Sequence, residues 1–226
     1  MPGKKPVRKA VRKPSKAKPA KGGASKGTAR SKSAPAKKLS DKARVEALEK
    51  RIRKDKLALV ALRRSIAPEP VSDYTLLAHD GSPVKLSELF GSRDDLILVH
   101  NMGKGCAYCT MWADGFTGLV KHLENRAAFV VVSKDPVDVQ RAFYQGRGWN
   151  FKMYSSHGTD FNRDMGYETE TGSQKPGISA FHRDADGTIR RTGHTGLGPG
   201  DDFCAVWPML DLLADGPAGW GPKFAY

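Results

Sequence analysis

Two cysteines three residues apart, Cys106 and Cys109, enclose Ala107 and Tyr108. They follow a short apolar run, Leu96–Val99, and a glycine-rich bend, Gly103-Lys104-Gly105, and they open a segment of helical length. A helix start presents unpaired N–H groups and a partial positive charge, and both favour a thiolate over a thiol. The first cysteine of such a pair is the activated nucleophile. The second, one turn on, can attack a mixed disulfide and release the substrate. Lys104 is expected to lower the first thiol's pKa further. A structural zinc site would need two more ligands. Only Cys204, His157 and His182 remain to supply them, at irregular spacing, so no metal is expected. A pair of buried, inert thiols is the plainer alternative, because free cysteine often serves as a small apolar residue.

The elements around the pair alternate. Tyr74–Ala78 and Val84–Leu86 read as strands joined by His79-Asp80-Gly81-Ser82, and Leu96–Val99 reads as a buried central strand. A helix is expected over Cys106–Asn125, a strand over Ala127–Val132, and a helix from Pro136 to about Gly146. Trp149–Tyr154 can form a strand, Ile178–His182 and Thr188–Arg191 flank the turn Asp184–Gly187, and residues 203–213 make a last helix interrupted by Pro208. This order is that of a thioredoxin-like α/β structure, a central mixed sheet flanked by helices. Proteins of that kind place a cis-proline before a strand and opposite the cysteine pair, and Pro176, before the strand at 178–182, is the candidate.

Other residues near the pair take plainer roles. Trp112 and Phe116, spaced i,i+4, are expected in the core. Tyr108 is expected to tune exposure and redox potential. Asp114 is either a proton acceptor near the thiols or polar surface. His157 either approaches the site or bonds within its own loop. Cys204 reads as a buried apolar residue.

The chain has 226 residues and a formal net charge of +14. Residues 1–40 hold 14 Lys/Arg and no acidic residue, whereas residues 67–226 hold 15 basic and 20 acidic side chains. Three segments are therefore expected: a disordered Lys/Arg/Ala/Pro-rich tail (1–40), an amphipathic helix (41–66) and an acidic α/β domain (67–226). The tail cannot bury enough apolar surface to offset its conformational entropy. Its charge suits non-specific contact with nucleic acid or another polyanion, and equally a solubilising role. In the helix, Val45, Leu48, Ile52, Leu59, Leu62 and Ile66 recur at alternating steps of three and four, interrupted by Asp55. That stripe is expected to pack on its own domain, with self-association open. No apolar run of about 7–15 residues follows the basic start, and none reaches the roughly 18 residues of a membrane span, so the expected location is cytoplasmic. No organic cofactor is expected, because no glycine-rich phosphate loop follows a strand.

Three stretches carry a resemblance: Gly105–Phe116 around the cysteines, Ser155–Asn162 (Ser-Ser-His-Gly-Thr-Asp-Phe-Asn) and Pro176–Phe181 (Pro-Gly-Ile-Ser-Ala-Phe). They resemble the bacterial thioredoxin-like family catalogued as domain of unknown function 899, over roughly residues 41–215. The resemblance implies the fold strongly and the activity weakly. Residues 74–91 also look like the opening hairpin of the alkyl hydroperoxide reductase and thiol-specific antioxidant branch. Peroxiredoxins place Pro seven and Thr/Ser three residues before the reactive cysteine. Here those positions are Val99 and Gly103 for Cys106, and Met102 and Cys106 for Cys109. Dithiol exchange with a protein or small-molecule thiol or disulfide is thus the expected enzymatic activity. The alternatives are a non-enzymatic thioredoxin-like binding module recruited to a polyanion by its tail, and a peroxiredoxin-like thiol peroxidase.

Overall fold

The computed structural model describes residues 39–226; residues 1–38 lie outside them, and with them almost the whole expected polyanion-binding tail. Helix α1 is Asp41–Ser65, and Ser40 accepts at its start, from Ala43 N at 3.3 Å through Oγ and from Arg44 N at 3.0 Å through its carbonyl. The second of the chain's two compact units, Glu49–Tyr226, holds the sheet. The strands are β1 (Glu69–Val71), β2 (Thr75–Leu77), β3 (Pro83–Lys85), β4 (Asp95–Asn101), β5 (Ala128–Ser133), β6 (Lys152–Ser155), β7 (Gly177–Arg183) and β8 (Ile189–Gly196). Helices α2 (Ala107–Thr117), α3 (Val120–Arg126), α4 (Val137–Arg147), α5 (Phe161–Asp164) and α6 (Val206–Leu210) complete the described residues, with a 3-10 turn at Leu86–Phe90.

The sheet order is β1-β8-β7-β4-β5-β6-β2-β3. Only β4–β5 and β5–β6 are parallel; the other neighbours are antiparallel. Alternation along β4 and β5 sends side chains to two faces, as strand geometry requires. Leu96, Leu98, Val130 and Val132 meet Phe161, Met165 and the 3-10 turn on one face. Val99, Phe129 and Val131 meet Trp112, Phe116, Val120 and Trp207 on the other. Helices thus cover both faces of a mixed sheet, which is the thioredoxin-like architecture. No helix among the described residues is long and apolar enough to cross a membrane.

Several elements differ from their sequence expectation for local reasons. The expected helix 106–125 is two helices. Gly115 and Gly118 weaken it, and at the break the Leu119 N–H donates to Phe116 O, three residues back rather than four. The last helix shrinks to five residues, with Pro208 tolerated because first-turn N–H groups have no intrahelical partner anyway. Strand β1 was not expected, since Pro68 and Pro70 read only as a helix stop. It pairs with β8 at the sheet edge, where a proline can sit. Helix α1 differs most, since none of its residues is buried.

Candidate functional site

Strand β4 ends at Asn101, and five residues later the chain enters α2. Asn101 sets the path between them. Its Oδ1 accepts from Gly103 N at 2.8 Å, and its Nδ2 donates to Cys109 O at 3.3 Å. Gly103 adopts φ +96°, and a Cβ there would sit 2.5 Å from the Asp135 carboxylate. Glycine is thus required twice, for the backbone angle and for the space. Asp135, just past β5, accepts from Lys104 N at 2.8 Å. The bend that presents Cys106 is therefore held from both parallel strands.

Cys106 is the N-cap of α2, and its Sγ accepts from Cys109 N at 3.0 Å. The Cys109 thiol donates to the same sulfur, and the N–H groups of Cys109 and Tyr108 add to it. Together they lower the Cys106 thiol from its ordinary value near 9 to about 7, against the opposing effect of burial. Cys109 moves the other way: donating to Cys106 and burial both push its thiol up, and it is only 2% exposed. One turn of helix thus holds a half-buried sulfur with a lowered pKa and a shielded thiol with a raised one. Alkylation of Cys106 by iodoacetamide is expected to rise with pH around a midpoint near 7, running about tenfold below its plateau at pH 6. Stopped-flow or mass-spectrometric rates from pH 5 to 9 measure this, and a midpoint at 8.5 or above would contradict it.

The remaining sequence-picked residues divide. Tyr108, 38% exposed, lies with its ring centroid 6.3 Å from Trp112 and 6.0 Å from Trp207, beside the cysteines. Trp112 is buried in the cluster that holds Cys109 and Phe116. Lys104 belongs to the bend, but its ammonium is not among the groups that lower the Cys106 thiol; its backbone N–H on Asp135 is its structural contribution. Asp114 is exposed and turned from the thiols to α4, where Arg147 pairs with it and Trp149 Nε1 donates to it at 2.8 Å. It fastens α2 to the end of α4, so a proton-acceptor role falls away. His157 reaches the connection after β5, its Nδ1 3.3 Å from Lys134 O, rather than bonding within its own loop. Cys204 is buried among apolar neighbours that include Trp207, and burial raises its thiol. All three cysteines are free thiols.

Pro176 departs from expectation. Every peptide bond among the described residues is trans, that before Pro176 included. Gly177, without a Cβ, enters β7 packed under the Tyr167 ring and against Thr195 O. The hollow at the reactive sulfur is lined by Met102, Gly105, Cys106, Ala107, Tyr108 and Gln174. Gln174 thus borders Cys106, its Oε1 accepting from Asn162 Nδ2 at 2.6 Å, while Asn162 Oδ1 accepts from Ser156 Oγ. Asn101, Asp135 and Gln174 were not picked from the sequence. Only the close pairing of Asn101 with the glycine bend could have been noticed there.

The model of the family described as bacterial protein of unknown function, DUF899, matches residues 35–220, so the chain belongs to that family. No curated protein sequence matches it significantly. Similar solved structures include the peroxidoxin BcpB from Mycobacterium tuberculosis, at 23% identity over 57% of this chain and 84% of that one, with a TM-score of 0.47. Reduced Prx3 from Vibrio vulnificus, in complex with H2O2, is similar at 16% identity over 60% and 90%, with a TM-score of 0.49. A thiol:disulfide interchange protein of the thioredoxin family from Chlorobium tepidum TLS is similar at 19% identity over 60% and 89%, with a TM-score of 0.43.

Proposed function

We propose that this member of the DUF899 family is a thiol–disulfide oxidoreductase in which Cys106 attacks and Cys109 resolves. The reading rests on one observation above all: the Cys106 sulfur caps α2 and accepts the Cys109 backbone N–H at 3.0 Å, with the buried Cys109 thiol and the N–H of Tyr108 as further donors that lower its pKa. Those donors stabilise negative charge on the sulfur that faces the hollow and leave the proton on the one that does not. The Cys106 thiolate attacks one sulfur of a substrate disulfide, forms a mixed disulfide and expels the other half as a thiolate. Cys109 then loses its proton and attacks the Cys106 sulfur. The substrate's second half leaves as a thiolate, and the protein is left with a Cys106–Cys109 disulfide. Two electrons pass to the substrate, and an external dithiol or a pair of thiols must return them.

The hollow beside Cys106 is mostly apolar with one amide, Gln174. That lining suits a peptide backbone carrying a cystine better than a charged small molecule. Equilibrating the protein with glutathione redox buffers tests the reading. The Cys106–Cys109 pair is expected to form a reversible disulfide, with a potential near about −270 mV if it works as a reductant and near −120 mV if as an oxidant. Absence of any Cys106–Cys109 disulfide across these buffers would overturn the proposal. Turnover of hydrogen peroxide faster than of any disulfide would replace it with a thiol peroxidase.

A further inference from the structure

We propose that α1 pairs antiparallel with α1 of a second copy of this chain. Helix α1 runs 25 residues with no residue buried. Val45, Leu48 and Ile52 are 55%, 57% and 53% exposed. A lone helix draws little stability from propensity; its apolar face needs a partner. The stripe itself specifies the partner's shape. Val45, Ile52, Leu59 and Ile66 occupy one seam position of a heptad, and Leu48, Asp55 and Leu62 the other, the repeat of a two-stranded coiled coil.

Charge decides the direction. A parallel pair in register sets Asp55 against Asp55 of the second copy inside the seam, while on its flanks Arg51 meets Lys56 and Arg44 meets Glu49 of the second copy, each twice, the first repulsive and the second attractive. An antiparallel pair centred near residues 53 and 54 stacks Val45 on Leu62, Leu48 on Leu59 and Ile52 on Asp55 of the second copy, each contact made twice by symmetry. The flanking contacts are then Glu49 with Lys56 and Lys42 with Arg63 of the second copy, each twice, the first attractive and the second repulsive, while Arg51 meets Ala58, so the direction rests on keeping Asp55 away from Asp55 in the seam. Asp55 faces isoleucine and keeps its own Arg51 at 3.6 Å. The surroundings of α1 fit this arrangement. Leu59, Leu62 and Ile66 line an open groove with Thr192, Gly193 and His194 of β8, and Val45 and Leu48 of the second copy would enter it. Within its own chain the Lys56 ammonium meets Asp202 at the surface, an exposed pair worth little.

Sedimentation equilibrium of the full chain tests this. The expected result is a dimer whose dissociation constant rises at least about a hundredfold in Leu48→Asp, where a charge replaces a seam leucine. Glu49→Lys alone and Lys56→Glu alone are each expected to weaken it about tenfold. A one-to-one mixture of those two variants is expected to recover a heterodimer, because both 49–56 pairs across it are again of opposite charge. Unchanged Cys106 alkylation in each variant shows that the fold is intact. A monomer at all concentrations, or a dimer indifferent to Leu48→Asp, overturns the proposal. A dimer tightened by Lys56→Glu, with no recovery on mixing, means parallel pairing and overturns it too.

Discussion

In the Cys109→Ser protein, a brief pulse of disulfide substrate is expected to leave half of that substrate covalently attached to Cys106. The attack that normally frees it has been removed, while the Cys109 backbone N–H and a hydroxyl donor remain to keep Cys106 reactive. Cys106→Ser is expected to form no such adduct and to lose dithiol exchange by about a hundredfold or more, since the only activated sulfur is gone. Cys204→Ser should change turnover little, because that thiol is buried and raised. Cys109→Ala separates two effects that serine leaves together. It deletes the side-chain donor as well as the resolving sulfur, so the alkylation midpoint of Cys106 should climb from about 7 toward 9. Peptide mapping by mass spectrometry locates the adduct. An adduct on Cys109 would exchange the two roles. Zinc bound stoichiometrically to both thiols, with no adduct on either, would end the redox reading.

The second large effect is structural. Gly177→Ala is expected to cost about 3 kcal/mol of stability, because the added carbon meets the Tyr167 ring and lies 2.7 Å from Thr195 O. Neither neighbour can yield easily. The Tyr167 hydroxyl lies 3.0 Å from Ile178 O and 3.1 Å from Thr195 O, and its ring stacks on buried His100 at 3.8 Å. For a domain of this size the thermal midpoint would fall by about 10 °C. Gly193→Ala, also in the β7–β8 hairpin and with open space around the new carbon, is the matched control and should lie within about 0.5 kcal/mol of the parent. Equal stability of the two variants would refute the packing described at the start of β7.

What the sequence revealed, and what it hid, follows the distance over which each residue acts. The Cys106–Cys109 pair, its place after a buried strand and the turns at Asp80-Gly81 and Asp184–Gly187 are local patterns, and each reappears in the fold. Asp135 was invisible because it acts on a bend 31 residues earlier, and its carboxylate looks like any surface acid in one dimension. Asp114 stayed undecided between proton acceptor and polar surface for the same reason: its partners, Arg147 and Trp149, come 33 and 35 residues later. Gln174 borders the reactive sulfur only because β7 runs antiparallel beside β4. The expectation for Pro176 came from its position before a strand in an alternating α/β order, a pattern that does not fix the isomer of a single peptide bond. For α1 the stripe was legible, but what covers an apolar stripe is a property of the tertiary structure.

The two outermost strands, β1 and β3, are three residues long and each contains a proline, Pro70 and Pro83. An open eight-stranded sheet otherwise ends in rows of unpaired N–H and C=O groups that template the addition of further strands from other molecules. Short strands offer few such groups, and a proline lacks the N–H that a newcomer would need. Glu69 on one edge and Lys85 on the other add charge that an incoming apolar strand would have to strip of water. The sheet can therefore stay open at both ends, with the partly exposed Cys106 above it, without growing into fibrils.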